Sequence, residues 1–201
     1  IILAAGIGMR MIPINSLYSK GLLKIHNETL IERLIKQLHE VGITDISIIV
    51  GFMKERYEYL IDLYNVKLVV NSEYAIKNNF TSLALLANKI DNTYVLPCDI
   101  WCKNNPFNKN ELYSWYMLSD KQDESSEIKI GRKNKLEKIK NEELGNTMVG
   151  ISYLCQENAK EVKDLLNLHK KSPEFFPLFW EECIYRSKIG IDAMVVENDS
   201  V

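Results

Sequence analysis

IILAAGIGMRMIPINSLYSKGLLKI, residues 1–25, decides the fold, because a short apolar strand runs directly into a loop that contains Gly6 and Gly8. Glycine has no Cβ, so such a loop can turn sharply and point successive backbone N–H groups at one anion. Arg10 and Lys20 follow, and they bring positive charge to the sheet edge at which ligands of open α/β folds bind. The stretch therefore indicates a phosphate-binding loop and a protein that handles nucleotides.

Two common phosphate-binding patterns do not match this loop. The Rossmann pattern needs a third glycine where Met11 stands, and a Walker loop ends in Gly-Lys-Ser/Thr. The glycines alone favour a plain turn after a buried strand, with Arg10 and Lys20 as solvated surface charges. The longer string LAAG-x-G-x-R-x-x-P, followed by Lys20 and two leucines, resembles the nucleotidyltransferase (pyrophosphorylase) family. Members of that family join a nucleoside triphosphate to a phosphorylated small molecule.

The resemblance implies a set of site residues. The loop would wrap the triphosphate, and Arg10 and Lys20 would contact its phosphates and act as the catalytic residues. The residues expected to bind the nucleotide are Leu3, Ala4, Ala5, Gly6, Gly8, Met9, Arg10, Lys20, Asn79 and Ser82.

Length and charge restrict the class of protein. The 201 residues are 46% hydrophobic, which predicts a single domain over 1–201, with a nucleotide-binding half at about 1–103 and an acceptor-binding, sheet-completing half at about 104–201. A net charge of −2 argues against a dedicated binder of nucleic acid or of anionic membranes. No apolar run approaches the roughly 20 residues needed to cross a bilayer, so we expect a cytoplasmic protein. The chain begins without Met inside a strand, and we expect further residues before it.

Cysteine and histidine spacing indicates neither a zinc site nor a secreted disulfide framework. The four cysteines lack Cys-x-x-Cys pairs and are expected to be ordinary thiols, and the three histidines are scattered without a catalytic pattern. These residues are Cys98, Cys102, Cys155 and Cys183, and His26, His39 and His169.

Hydrophobic periodicity predicts βαβ units in the first half. Helices are expected at 29–41, 54–64 and 81–90, and strands at 45–50, 66–70 and 93–98. Alternation at this spacing predicts a mostly parallel sheet with right-handed crossovers. The fold class is therefore α/β: a Rossmann-like, mixed but mainly parallel sheet with helices on both faces, as in GT-A-like nucleotidyltransferases, with a small β-rich acceptor lobe.

The second half mixes strands with fewer helices. Its expected elements are a strand at 112–118, a charged connection at 120–127, a hairpin at 128–130 and 136–139, a strand at 146–154, helices at 157–170 and 175–183, and a strand at 189–196.

The run Asn78-Asn79-Phe80-Thr81-Ser82-Leu83 enters the third predicted helix. Its amide and hydroxyl groups could cap that helix or place hydrogen-bonding groups against a base, and both can hold at once. Asn-Asn-Phe-x-Ser-Leu is similar to a segment of the bacterial phosphocholine cytidylyltransferase branch that lies near the nucleotide. It is the most branch-specific stretch of the chain.

Two acidic residues are candidate metal ligands. Asp99 ends the predicted strand at 93–98; an Asp there is often a turn former, but the family places a metal-binding aspartate at this point, and triphosphates arrive with Mg²⁺. The run Leu178-Phe179-Trp180-Glu181 matches a Leu-aromatic-Trp-acid run of the phosphocholine branch, in which the acid is Asp. The resemblance implies Mg²⁺ on Asp99 and Glu181. The alternative is that Glu181 lies on a wet helix face.

The resemblance implies transfer of a cytidylyl group from CTP to phosphocholine, giving CDP-choline and pyrophosphate. The acceptor would be a phosphorylated amino-alcohol, and neither nucleic acid nor membrane would be a partner. Alternatives are a cytidylyltransferase for phosphoethanolamine or 2-aminoethylphosphonate, a sugar-1-phosphate nucleotidylyltransferase, and a non-catalytic nucleotide-binding module. The sequence has Ser125-Ser126-Glu127-Ile128 where the branch has a cage tryptophan. Aromatic faces hold a quaternary ammonium, and the candidates here are Tyr116, Phe179, Trp180 and Trp101.

Overall fold

The computed structural model describes residues 1–8, 19–139, 143–186 and 190–200. The strands are β1 (Ile2–Ala4), β2 (Lys24–Ile25), β3 (Glu28–Thr29), β4 (Ser47–Val50), β5 (Lys67–Val70), β6 (Thr93–Pro97), β7 (Trp115–Asp123), β8 (Ile128–Ile130), β9 (Leu136–Lys138), β10 (Gly145–Leu154) and β11 (Asp192–Val196). The helices are α1 (Leu30–Glu40), α2 (Tyr59–Tyr64), α3 (Asn79–Ala84), α4 (Gln156–His169) and α5 (Glu182–Arg186). None of these helices has the length and apolar character to cross a bilayer.

Seven strands form one sheet, in the order β11-β7-β10-β6-β1-β4-β5. Neighbours among β6, β1, β4 and β5 are parallel, and β11 is parallel to β7. β10 runs antiparallel to both β6 and β7, so it alone opposes the common direction. The predicted mixed, mainly parallel sheet is confirmed. The carboxyl ends of β1, β6, β7 and β11 consequently meet at one edge.

Helices cover both faces of the sheet, as predicted. α1 and α2 pack on one face through side chains such as Leu34 and Leu60, and α3 and α4 pack on the other through Phe80 and Val162. Residues of β7 alternate between the two cores, because side chains of a strand point to opposite faces in turn. Trp115 and Met117 belong to the first core, and Tyr116 and Leu118 to the second.

Local signals in the sequence explain α1. The Thr29 hydroxyl accepts a hydrogen bond from the Glu32 backbone N–H, and the Glu32 carboxylate accepts one from the Thr29 backbone N–H, which forms a capping box. After the helix, Gly42 takes a φ of +79°, in the left-handed region that glycine occupies at little cost. The helix predicted at 29–41 is confirmed.

Several predicted boundaries differ from the structure. The helix expected at 54–64 is a 3₁₀ turn at Lys54–Tyr57 followed by α2, and the helix expected at 81–90 begins earlier, as α3, and gives way to a 3₁₀ turn at Ala87–Lys89. The charged connection expected at 120–127 begins only after Asp123, because β7 continues to pair with β10 as far as Gly145. The predicted hairpin is present as β8 and β9.

The prediction of a helix over 175–183 is wrong. A 3₁₀ turn at Pro173–Phe175 is followed by an irregular segment, and α5 begins only at Glu182. The carbonyl groups of Phe176 and Leu178 accept hydrogen bonds from the backbone N–H groups of Asn78 and Phe80, at 2.6 and 3.4 Å. These carbonyls are engaged by the start of α3, and the segment forms separate turns in place of a continuous helix.

Candidate active site

Lys20 and Asp99 form an ion pair at the carboxyl edge of the sheet. Lys20 begins a 3₁₀ turn, Lys20–Leu22, and Asp99 lies two residues beyond β6. Lys20 Nζ lies 2.7 Å from Asp99 Oδ2, and the two side chains are 23% and 31% exposed. Two residues predicted for the site are therefore in direct contact, and both can reach a ligand from solvent.

The glycine loop lies against the Lys20 side chain. Gly8 has a φ of +73°, and a Cβ at this position would lie 2.9 Å from Lys20 Cε. The left-handed backbone favours glycine here, and any larger residue would push the Lys20 side chain aside. Around the corresponding Cβ position of Gly6, no atom of the described residues lies within 4 Å. Among the described residues, the loop therefore has open space at Gly6 and a lysine beside Gly8, an arrangement that suits a bound phosphate.

A buried hydroxyl pair anchors the segment that carries Lys20. Ser19 Oγ lies 2.5 Å from the hydroxyl of Tyr57, and both residues are buried. A Cβ on Gly21 would lie 3.0 Å from Cys98 Cβ and 3.2 Å from the Tyr57 hydroxyl. Burial, with a smaller contribution from the Cys98 thiol, raises the pKa of Tyr57 far above its ordinary value, so the hydroxyl stays neutral. The anchor fixes the backbone on both sides of Lys20.

Tyr57 was not predicted as part of this site. Its spacing marks it only as an apolar position of a predicted helix. The hydroxyl that distinguishes tyrosine from phenylalanine was the one available signal, because a buried phenol normally has a hydrogen-bond partner.

The remaining predicted loop residues divide into two groups. Leu3, Ala4 and Ala5 lie in and just after β1, between β4 and β6, and the Ala5 carbonyl accepts a hydrogen bond from the Phe52 backbone N–H at 3.0 Å. Met9 and Arg10 lie outside the described residues. For all of them, contact with a nucleotide stays a prediction.

Side chains of the Asn-Asn-Phe-x-Ser-Leu run make hydrogen bonds within the protein. Asn78 caps α3, since its Oδ1 accepts from the Asn79 backbone N–H at 2.8 Å. Asn79 Oδ1 accepts from the Trp180 backbone N–H at 2.7 Å, and Ser82 Oγ accepts from Asn71 Nδ2 at 2.9 Å. The capping role expected of this run is therefore present at Asn78. The nucleotide contacts of Asn79 and Ser82 stay predictions.

Glu181 is a buried carboxyl group, which excludes the alternative of a wet helix face. It is 9% exposed, and its Oε1 accepts a hydrogen bond from the Tyr116 hydroxyl at 3.0 Å. Its Oε2 is buried, with no hydrogen-bond partner among the described residues. Burial raises the pKa of Glu181 to about 7, although hydrogen bonds from its own backbone N–H and from Tyr116 oppose the shift.

Asp99 and Glu181 lie at different levels along the strands of the sheet. The partner of Glu181, Tyr116, lies beside Ser152 in the sheet, and Ser152 lies beside Val95, four residues before Asp99. At a rise of about 3.3 Å per residue, Asp99 therefore lies about 13 Å from the level of Tyr116 along the strand direction. Within the described part of the chain, no cluster of three or more metal-ligating side chains forms. Joint metal binding by the two acids stays a prediction.

One further segment at this edge was not predicted as part of the site. A 3₁₀ turn at Asn198–Ser200 follows β11, and the Ser200 carbonyl accepts a hydrogen bond from the Lys103 backbone N–H at 3.1 Å. The Asn198 backbone N–H donates to Asp120 Oδ1 at 3.0 Å. The turn lies at this edge because β11 is parallel to β6, and strand direction is not visible in the pattern of a single strand.

Residues 1–107, which include the glycine loop, Lys20 and Asp99, match the model of the MobA-like NTP transferase domain family. A choline-phosphate cytidylyltransferase from Streptococcus pneumoniae is 34% identical over 200 residues, which cover 98% of this chain and 87% of that protein. The chain belongs to the MobA-like NTP transferase family.

This NTP transferase is also similar to further cytidylyltransferases, in structure and in sequence. The solved structure of the CTP:phosphocholine cytidylyltransferase LicC from Streptococcus pneumoniae superimposes with a TM-score of 0.90 at 32% identity, covering 99% of this chain and 90% of that one. A 2-aminoethylphosphonate cytidylyltransferase from Lancefieldella rimae is 28% identical, over 97% of this chain and 82% of that protein. The predicted enzyme class, nucleotidyltransferase, is confirmed, as is the resemblance to bacterial phosphocholine cytidylyltransferases.

Proposed function

We propose that this NTP transferase moves a cytidylyl group from CTP to phosphocholine, giving CDP-choline and pyrophosphate. The observation that carries the proposal is the Lys20–Asp99 pair beside Gly8, because it joins a cation, a carboxylate and an open loop at one sheet edge. Near-full-length similarity to enzymes named for this reaction supports the choice of substrates. The predicted cytoplasmic location and the division at about residue 103 stay proposals.

The loop and Lys20 would hold the triphosphate. The loop that begins at Gly6 would supply backbone N–H donors to the phosphates, and Lys20 Nζ, on a partly exposed side chain, would supply a point charge. Its present partner is the Asp99 carboxylate, so a phosphate oxygen that enters beside it would share the ammonium group with Asp99. Arg10 would add a second cation.

Asp99 fits a bound Mg²⁺, the divalent ion that we propose for this nucleotidyltransferase. Mg²⁺ prefers one or two carboxylates together with phosphate oxygens and water. Asp99 is a partly exposed carboxylate at the phosphate edge, and Glu181 has a buried oxygen without a partner among the described residues. We assign the metal to Asp99 and propose Glu181 as a second ligand. Glu181 would have to move toward Asp99, because one Mg²⁺ cannot contact two carboxylates held at levels about 13 Å apart along the strands. When bound, the ion would neutralise charge between the two anionic substrates.

The nucleophile needs no general base. A phosphate monoester has a second pKa near about 6, so a phosphocholine oxygen is already ionised at neutral pH. In-line attack on the α-phosphorus expels pyrophosphate, and the protein contributes position and positive charge. Lys20 and the loop N–H groups hold the phosphates that leave as pyrophosphate.

The acceptor site is proposed around Glu181. Tyr116, which hydrogen-bonds to this carboxyl group, and Trp180 are two of the predicted aromatic walls; their ring centroids lie 6.3 Å apart and both are buried, whereas Phe179, the residue before Trp180, is 53% exposed. Trp101 instead packs against Arg33, whose Cζ lies 5.4 Å from the centroid of the Trp101 ring. Aromatic faces with an acid nearby suit a quaternary ammonium.

A second candidate is a cytidylyltransferase for 2-aminoethylphosphonate. The Lancefieldella rimae relative favours it, at a lower identity than the Streptococcus pneumoniae one. A primary ammonium group has three N–H donors and would need carboxylate acceptors, of which Glu181 is one.

Pyrophosphate release with CTP and Mg²⁺ tests the proposal, with phosphocholine, phosphoethanolamine, 2-aminoethylphosphonate and a sugar 1-phosphate as separate acceptors. We expect release to be fastest with phosphocholine, and K20A and D99N to reduce turnover by about 100-fold or more. Lys67 and Asp45 form an ion pair of the same 2.7 Å length at the opposite edge of the sheet, so K67A and D45N are matched controls.

Each outcome separates the candidates. Preference for 2-aminoethylphosphonate would select the second candidate, and preference for the sugar phosphate would reject both. CTP-dependent thermal stabilisation without release from any acceptor would indicate a binding module.

A further inference from the structure

Cys155 lies at the sheet edge opposite the proposed active site. It follows β10, whose last residue, Leu154, pairs with Thr93 at the start of β6. Asp99 lies beyond the other end of β6. Cys155 is also the N-cap residue of α4, a helix of 14 residues. No step of the proposed reaction uses this region.

The sulfur of Cys155 accepts a hydrogen bond from the Ser114 hydroxyl. Ser114 Oγ donates to Sγ at 3.1 Å and in turn accepts from the Cys155 backbone N–H at 2.8 Å. Partial burial acts to raise the pKa of the thiol, but hydrogen bonds from Ser114 and from the backbone N–H groups of Asn158 and Glu157 hold this pKa below its ordinary value. The first turn of α4 therefore stabilises a thiolate at this position.

The other three thiols have the opposite environment. Cys98, Cys102 and Cys183 are buried. Burial raises the pKa of these thiols to about 12, 11 and 12 respectively. Reactivity of a cysteine follows its thiolate fraction and its exposure. The three buried cysteines are therefore internal controls for any reaction at Cys155.

Asn158 supplies an independent sign of a missing ligand. It is only 5% exposed, and its Oδ1 accepts a hydrogen bond from the Cys155 thiol, with 3.4 Å between oxygen and sulfur. Its Nδ2 is buried without a hydrogen-bond partner among the described residues. A buried donor that lacks an acceptor costs free energy, so an added acceptor atom beside Sγ would be stabilised.

A cavity lies beside Cys155. Its volume is about 380 Å³, and Ser114, Cys155, Asn158, Tyr113 and Lys135 are among the residues that line it. The space is large enough for a peroxide and for a small thiol.

We propose that Cys155 is a site of reversible oxidation, at which a peroxide converts the thiolate to a sulfenic acid whose oxygen accepts a hydrogen bond from Asn158 Nδ2. In this step Sγ attacks one oxygen of hydrogen peroxide, so that an S–O bond forms and the O–O bond breaks. The sulfur loses two electrons and the peroxide gains them. The hydroxide that leaves takes up a proton and becomes water.

A small thiol that enters the cavity would return the site toward its reduced form. Its sulfur attacks Sγ of the sulfenic acid, an S–S bond forms, and the S–OH oxygen leaves as water after protonation. A second thiol then releases the protein thiol by exchange. The inference does not depend on the proposed cytidylyltransferase activity.

Peroxide treatment of the folded protein, with trapping of sulfenic acid by dimedone and peptide mapping, tests the proposal. We expect Cys155 to be labelled at least about tenfold faster than Cys98, Cys102 or Cys183. Ser114→Ala should slow labelling several-fold and raise the thiol pKa measured by the pH dependence of iodoacetamide alkylation. Ser125→Ala, at an exposed serine of a loop between β7 and β8, should change neither quantity.

Asn158→Leu tests whether the Asn158 amide stabilises the sulfenic acid. It removes the amide donor but keeps the backbone N–H groups, so alkylation of Cys155 should persist while the trapped sulfenic acid decreases. Thermal melts would verify that each variant is folded. Labelling of Cys155 at the rate of the buried cysteines would overturn the proposal, as would an unchanged rate in both variants.

Discussion

Asn79 Oδ1 accepts a hydrogen bond from the backbone N–H of Trp180 at 2.7 Å, across 101 positions of sequence. Asn78 adds two more bonds to the same segment, from its backbone N–H to the Phe176 carbonyl and from Nδ2 to the Pro177 carbonyl. The two stretches that most resemble the phosphocholine branch therefore bind each other. Because Glu181 directly follows Trp180, this contact also sets where the buried carboxyl group lies.

Replacement of Asn79 separates its structural role from nucleotide contact. N79L removes the acceptor and should lower the free energy of unfolding by about 1–2 kcal/mol, measured by urea denaturation. N79D keeps an oxygen acceptor for Trp180 and should lose much less stability. If Asn79 also touches the nucleotide, N79D should raise the KM for CTP, since a carboxylate would face an anionic ligand. Equal stability of N79L and N79D would contradict the structural role.

Gly8→Ala should reduce turnover more than it reduces stability. Alanine would have to keep the left-handed φ of +73°, which costs roughly 1–2 kcal/mol for a residue with a Cβ, and its methyl group, 2.9 Å from Lys20 Cε, would displace that side chain. We expect kcat to fall roughly 10- to 100-fold, measured by pyrophosphate release. Gly42 has a similar φ of +79° away from the site, so G42A should lose stability and retain kcat. Equal kcat values in G8A and G42A would contradict this prediction.

Tyr57→Phe should weaken the anchor beneath Lys20. It removes the hydroxyl that lies 2.5 Å from Ser19 Oγ and leaves the buried serine without this partner. We expect a loss of about 1–2 kcal/mol in the free energy of unfolding, together with a lower kcat because Lys20 is held less firmly. Tyr113→Phe, at an exposed tyrosine, is the control and should leave both quantities unchanged. A stability loss with full kcat would show that the anchor does not act through Lys20.

Glu181 should make stability depend on pH between about 4.5 and 7. The ordinary pKa is 4.5 and burial raises it to about 7, so over this interval the unfolded chain loses a proton that the folded chain retains. The free energy of unfolding therefore falls as pH rises, by at most about 3 kcal/mol, and is constant above the folded pKa.

Urea denaturation of the protein and of E181Q at pH 5 and pH 8 measures this effect. E181Q cannot ionise and should show a smaller decrease in stability between the two pH values. E182Q alters the adjacent acid, which pairs with Arg186 at 3.0 Å, and should retain the full decrease. An identical pH dependence for E181Q and the unmodified chain would show that Glu181 does not cause the loss of stability.

Local patterns predicted much of the fold. Periodicity placed α1, β4, β5, β6 and α4, because one helix face or both faces of a strand must be apolar when buried. The same approach failed at 175–183, where aromatic residues suggested a helix but the carbonyls of Phe176 and Leu178 are bonded to another segment. Hydrogen bonds of that kind leave no periodic trace.

The candidate site was partly predictable for a similar reason. The resemblance of LAAG-x-G-x-R-x-x-P to the nucleotidyltransferases implied a phosphate loop with Gly8 and Lys20 and a metal-binding Asp99 after a strand, whereas the glycines alone favoured a plain turn. Tyr57 was not identified, because its function depends on the serine that its hydroxyl meets. The burial of Glu181 was also not foreseen, since two adjacent glutamates look equally polar in sequence.

The sequence by itself determined features that act over a few residues: the turn at Gly6 and Gly8, the capping box of α1, and the alternation that buries each strand. Tertiary structure alone decided which distant groups meet. Lys20 reaches Asp99 across 79 positions, and Tyr116 reaches Glu181 across 65. Such contacts depend on strand order and direction, and these follow from how whole apolar faces pack together.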